Sequence, residues 1–101
     1  MDGVPPIACT LSPLALADRE AAWRAVLAEG LVSGERRPDG VRLRLQPESE
    51  PRVRELVALE GECCAWFRGT VTPGELITVD LVAAGEGVAV LQAMFGPYAH
   101  P

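Results

Sequence analysis

Residues 41 to 46, Val-Arg-Leu-Arg-Leu-Gln, alternate apolar and polar side chains without a break. A period of two puts Val41, Leu43 and Leu45 on one face of a strand and Arg42, Arg44 and Gln46 on the other, a division that a 3.6-residue helix cannot make. Immediately before them, Arg37-Pro38-Asp39-Gly40 is a turn sequence. Proline fixes φ, aspartate bonds its own backbone, and glycine tolerates positive φ. With Leu31 to Arg36 as the first strand, the segment predicts a hairpin that is dry on one face and wet on the other. The chain must therefore cover one side of an antiparallel sheet, and the two arginines read as its solvated side.

The remaining elements follow from local signals. Val4-Pro5-Pro6-Ile7-Ala8-Cys9-Thr10-Leu11 is apolar and proline-bounded, which forbids a helix and predicts strand one. Ser12-Pro13 reads as an N-cap with proline at the first helical position, opening a helix from Leu14 to Glu29 that Gly30 ends. Leu16, Trp23, Val26 and Leu27 form its apolar stripe. A second helix is predicted from about Arg52 to Cys64 or Trp66, with Val53, Leu56, Val57, Glu60, Cys63, Cys64 and Phe67 on one side; Gly61 weakens it without ending it. Then come a strand from Phe67 to Thr72, a Pro73-Gly74 turn, a strand from Leu76 to Val82, and a short helix from Gly87 to Phe95 stopped by Gly96-Pro97.

The order β-α-β-β-α-β-β-α predicts one α+β domain over residues 1–101. Its ferredoxin-like β-α-β-β-α-β core is extended by a strand and a C-terminal helix, with the helices on one face of an antiparallel sheet. In that topology the right-handed crossover rule brings the end of strand one, with Cys9, and the end of the second helix, with Cys63 and Cys64, to the same edge.

Composition narrows the function classes. A hydrophobic share of 49% is too high for disorder, and its short periodic segments contain no run long enough to span a membrane. Met1 to Pro6 has neither the basic start nor the apolar stretch of a secretory signal, so a cytoplasmic location is expected. All nine basic residues are arginines scattered along a chain of net charge -5, which disfavours nucleic acid and anionic membrane as partners.

The chemistry then rests on three cysteines. In a reducing compartment thiols serve soft-metal binding, redox chemistry or packing rather than structural disulfides. Free cysteine packs as a small hydrophobe, and any one of the three taken alone fits that reading. Cys63 and Cys64, however, are adjacent, so on a helix they point about 100° apart and cannot serve one packing stripe equally. Cys9 precedes a helix N-terminus, where the dipole and free N–H groups favour a thiolate. Three converging thiolates suit Hg(II), As(III) or Cu(I), and less specifically Zn(II) or Cd(II). A closed zinc site wants four ligands, and beyond the three cysteines the chain offers only His100 as a histidine or cysteine ligand.

Glu60, three and four residues before the cysteines, shares their helical face and is the candidate outer carboxylate for proton movement as thiols load; a solvated position is its other reading. Glu62 points elsewhere and reads as surface. Trp66, Phe67 and Trp23 read first as core, with Trp66 and Phe67 also able to shield the thiols. Asp18 and Arg19 can border the same edge, although compensation of the helix dipole accounts equally for Asp18.

Ile7-Ala8-Cys9-Thr10-Leu11 and Leu59-Glu60-Gly61-Glu62-Cys63-Cys64-Ala65-Trp66-Phe67 resemble a small bacterial family. Its members carry an Ala-Cys-Ser/Thr-Leu start and a Glu-x-Glu-Cys-Cys-Pro/Ala-Phe core, in genomes beside MerR-type heavy-metal regulators. The resemblance covers nearly the whole chain. It implies a heavy-metal context and directs attention to Cys9, Cys63 and Cys64, without implying a reaction. The predicted topology is also similar to heavy-metal-associated domains such as the periplasmic mercury-binding protein and copper chaperones. This chain lacks their MxCxxC loop between strand one and the first helix, so that likeness implies a fold and a thiol edge but no metal identity.

The leading expectation is a cytoplasmic protein that binds a thiophilic metal or metalloid ion through Cys9, Cys63 and Cys64, to buffer it, to confer resistance or to pass it to a metal-exchange protein partner. The alternatives are a thiol–disulfide protein pairing Cys9 with Cys63 or Cys64, since a vicinal bridge is strained, and an interaction module, homodimeric through an open sheet edge, with packed cysteines. Cleavage of a carbon–mercury bond, with Glu60 as acid, ranks below these because so short a chain has little room for an organic substrate.

Overall fold

The computed structural model describes residues 13–63 and 66–99, with side chains from 17 to 62 and from 66 to 99. Helix α1, Pro13–Gly30, opens on proline, whose missing N–H costs nothing in a first turn. Strands β1, Leu31–Arg37, and β2, Gly40–Leu45, form the expected hairpin around Pro38-Asp39. A short 3-10 turn at Pro47–Ser49 leads into helix α2, Glu50–Cys63. Strand β3, Phe67–Thr72, strand β4, Ile77–Ala83, and helix α3, Gly87–Phe95, complete the order, and a 3-10 turn at Gly96–Tyr98 follows.

The four strands form one antiparallel sheet in the order β1-β2-β4-β3. Its centre is the β2–β4 pair, where Val41 faces Leu81, Leu43 faces Val79 and Leu45 faces Ile77. All six side chains are at most 1% exposed. They bury one face against Trp23, Val26 and Leu27 of α1, Val53 and Leu56 of α2, and Leu91 and Phe95 of α3, in a single core. The pleat then sends Arg42, Arg44, Thr78 and Asp80 to the opposite face. There the arginines are paired as well as wet. Arg42 Nε donates to Asp80 Oδ1 at 2.7 Å, and that carboxylate raises the Arg42 pKa above its ordinary value. Arg44 and Arg37 approach the two oxygens of Glu35 at 3.7 and 3.8 Å.

Gly40 illustrates how the hairpin is locked into the sheet. It has φ of +158°, and a Cβ added there would lie 1.9 Å from the carbonyl oxygen of Leu81. The glycine is required by the close approach of β4 as well as by the turn. From the helical side, Gln92 Nε2 donates to the carbonyls of Arg37 at 2.9 Å and Gly40 at 3.4 Å, so α3 holds the same end of the hairpin.

Two expectations need correction. The second helix passes Gly61 as anticipated, but it begins at Glu50, and Trp66 lies in a turn rather than in its last turn. The sheet order also departs from the ferredoxin-like core. In that core strand one would lie between β2 and β3, and that place is filled by β4, paired to β2 over residues 77–82 and to β3 over 78–83. An all-apolar β4 face opposite an all-apolar β2 face buries six large side chains at the centre of the sheet, which decides the pairing. Residues 4–11, read as strand one, lie outside the described residues.

Candidate functional site

Helix α2 presents Val53, Leu56 and Glu60 at spacings of three and four, and all three are buried, at 0%, 1% and 7% exposure. Glu60 thus occupies a position in the apolar stripe. A carboxylate there must be hydrogen-bonded or ion-paired to be tolerated. Helix α1 supplies both needs from one face, because Arg19 and Trp23 are four residues apart. Trp23 Nε1 donates to Glu60 Oε2 at 3.0 Å, and Arg19 Nη1 lies 3.3 Å from the same oxygen. The Arg19 side chain is only 13% exposed. Trp23 is fixed in turn by Phe95 of α3, whose ring meets it edge-on at 5.2 Å.

This cluster sets the mutual orientation of α1 and α2. At the other end of the pair, Gln46 N–H donates to the carbonyl of Gly30 at 2.8 Å, tying the end of α1 to the entry of α2. The helices therefore run antiparallel, and the start of α1 lies beside the end of α2. A groove of about 460 Å³ between Ala22, Val26 and Glu29 of α1 and Ser49 and Arg52 belongs to the opposite end of this interface. This groove is thus remote from Cys63.

Beyond Cys63 the chain re-enters the described region at Trp66. Its ring meets Phe67 edge-on at 6.3 Å. A Cβ added to Gly87 would lie 2.9 Å from Trp66 Cε3, so the glycine at the start of α3 is what lets the indole approach. The indole Nε1 is buried and has no hydrogen-bond partner.

The sequence-predicted residues fall out as follows. Cys63 is the last residue of α2, and its side chain is not among those described; Cys9, Cys64 and His100 lie outside the described residues. Glu60 is a buried, ion-paired residue rather than a solvated one. Glu62 and Asp18 are exposed, Glu62 as expected. The sequence reading missed the pairing of Arg19 and Trp23 with Glu60. The available signal was the Arg19–Trp23 spacing together with an acidic residue at an apolar position of α2. Among the described residues no group of three or more His, Cys, Asp and Glu side chains is disposed to hold a metal ion. No described helix is long and apolar enough to cross a membrane. No protein-family model, curated protein or solved structure matches the chain.

Proposed function

We propose that the protein binds a thiophilic metal or metalloid ion, of the Hg(II), As(III) or Cu(I) class, through Cys9, Cys63 and Cys64. The observation that carries this reading is the Arg19–Glu60 contact at 3.3 Å, which sets the start of α1 beside the end of α2. From Arg19 back to Pro13 is about 9 Å of helix, and from Glu60 on to Cys63 about 4.5 Å, at 1.5 Å per residue. Cys9 precedes Pro13 by four residues, a stretch that spans at most about 14 Å. That length of chain allows Cys9 to approach the end of α2, which supports the reading. This support is independent of the ferredoxin-like strand order and replaces it.

Soft thiolates select soft ions, and three of them fall one ligand short of a closed zinc site. Glu60 acts here as the anchor that keeps the two helix ends together. Its Oε2 accepts from an indole and approaches a guanidinium, an arrangement suited to fixing geometry. The role of the bound state is buffering in the cytoplasm or delivery to a partner protein.

The test is native mass spectrometry of the reduced chain titrated with Hg(II), As(III), Cu(I) and Zn(II), beside Cys9→Ser, Cys63→Ser and Cys64→Ser. One-to-one binding of a soft ion, weakened in each variant, is expected. Binding that is absent, or unchanged when all three cysteines are replaced, overturns the reading.

A further inference from the structure

The sheet gathers on one face a charge that the sequence scatters. Residues opposite one another in antiparallel strands point to the same side. The register that turns Arg42, Arg44 and Asp80 away from the helices therefore turns three more charges with them: Glu35, opposite Arg42; Arg37, opposite Gly40; and Arg68, opposite Val82. Four of the chain's nine arginines thus share this face with two of its fourteen acidic residues, a net +2 on a chain of -5. All three helices bury their apolar sides against the other face. Here the side chains of Glu35, Arg37 and Arg44 stay 41–42% exposed. Pairing within the face does not use up the excess. Arg42 and Asp80 neutralise each other, but Glu35 is divided between Arg37 and Arg44 at 3.8 and 3.7 Å. Arg68 is exposed, and among the described residues no carboxylate pairs with it. The excess therefore lies at both edges of the sheet, with Arg37 on β1 and Arg68 on β3, three strand spacings or about 14 Å apart. Beside that row, Ser33, Arg44, Thr78 and Thr72 stand opposite one another across all four strands, hydroxyls on both sides of a guanidinium.

We propose that this face of the sheet docks an acidic stretch of a protein partner, laid across the strands. Guanidinium groups match carboxylates in charge and in fork geometry, and the serine and threonine hydroxyls add hydrogen bonds to the same partner. A single small anion cannot reach both edges. Nucleic acid fits less well, because the face carries no aromatic ring on which a base could stack, and Glu35 and Asp80 would repel a uniformly anionic backbone. Val82 is the only large apolar side chain there, too little to enter a membrane. A second copy docked sheet to sheet would set like charge against like. The proposal does not depend on the cysteines or on the ion-binding reading.

The experiment titrates the full chain, kept reduced, into a fluorescein-labelled oligoglutamate peptide and follows fluorescence anisotropy at low salt. Chain and probe are both acidic, so net charge alone repels them and binding reports the local face. Saturable binding is expected, weakened about two- to five-fold by Arg44→Ala and by Arg68→Ala and lost at high salt. Arg52→Ala, on the helical side where that guanidinium pairs with Glu55, leaves binding unchanged. Arg68→Glu, at an exposed position of an edge strand, supplies the same test where Arg44→Ala folds poorly. Absence of binding at low salt, or binding that the Arg44 and Arg68 variants leave intact, overturns the proposal. So does tighter binding of an oligothymidylate of equal charge, which would make the face a nucleic-acid site. Sedimentation velocity showing dimers that Arg68→Glu dissociates would overturn it as well, by giving the face to a second copy.

Discussion

The indole N–H of Trp23, on α1, donates to the carboxylate of Glu60, on α2, at 3.0 Å, across thirty-seven positions of sequence and inside the buried interface of the two helices. Arg19 reaches the same oxygen at 3.3 Å. A charged residue in an apolar stripe has thereby become the contact that fixes one helix end against another.

Removing that carboxylate takes an acceptor from the Trp23 indole N–H and a counter-charge from Arg19 in a nearly dry interface. Glu60→Ala is expected to lower unfolding stability by about 2–4 kcal/mol, because it leaves the buried Trp23 N–H without this acceptor as well as removing an ion pair. Glu60→Gln, which keeps an acceptor for Trp23, is expected to cost about half as much. Urea unfolding followed by tryptophan fluorescence measures both. Equal stability of wild type and Glu60→Ala would show that the cluster contributes nothing to holding α1 on α2.

Gly61 offers the opposite sign. A Cβ added there meets no atom within 4 Å, and the residue lies in α2 where a side chain restricts only the unfolded chain. Gly61→Ala is expected to stabilise the protein by about 0.5–1 kcal/mol, seen as a higher urea midpoint with unchanged slope. A loss of stability would mean that α2 needs its flexibility at this point.

Gly40→Ala is expected to be among the most damaging single changes. The new methyl would meet the Leu81 carbonyl at 1.9 Å, and the obstacle is backbone of the central β4 strand, which cannot turn aside. A cost of about 3 kcal/mol or more is expected, read from thermal unfolding by circular dichroism. A near-neutral effect would mean that β2 and β4 can separate locally at this end.

On the wet face of the sheet, Asp80→Asn removes the partner of Arg42. Both side chains are more than a quarter exposed, at 29% and 28%, so the loss is expected to be small and to depend on screening. The difference from wild type in melting temperature should vanish at roughly 1 M salt, where the Debye length is about 3 Å. A difference that persists at high salt would point to the geometry of the pair rather than its charge.

Much of the architecture is legible in residues 31–45 and 67–95. The alternation from Val41 to Leu45, the Pro38-Asp39 turn, the strand from Phe67 to Thr72 and the helix from Gly87 to Phe95 all stand where local pattern puts them. These features depend on neighbours within a few residues, through backbone propensity and side-chain period. Less of the candidate site is legible. The vicinal cysteines and the acidic residue before them are visible as a motif, yet nothing local reveals that Glu60 is buried, since a carboxylate at that spacing is equally at home on a wet helix face.

What the sequence determines by itself is therefore the order of the elements from α1 to α3 and the wet and dry faces of β2, because period and turn chemistry are local. The tertiary structure alone decides that β4 rather than strand one fills the place between β2 and β3, and that Arg19 and Trp23 meet Glu60. Both outcomes follow from which distant apolar faces bury most area together, and from the need of a charge buried with them to find its partners. That competition is settled among all elements at once, and no segment carries it alone.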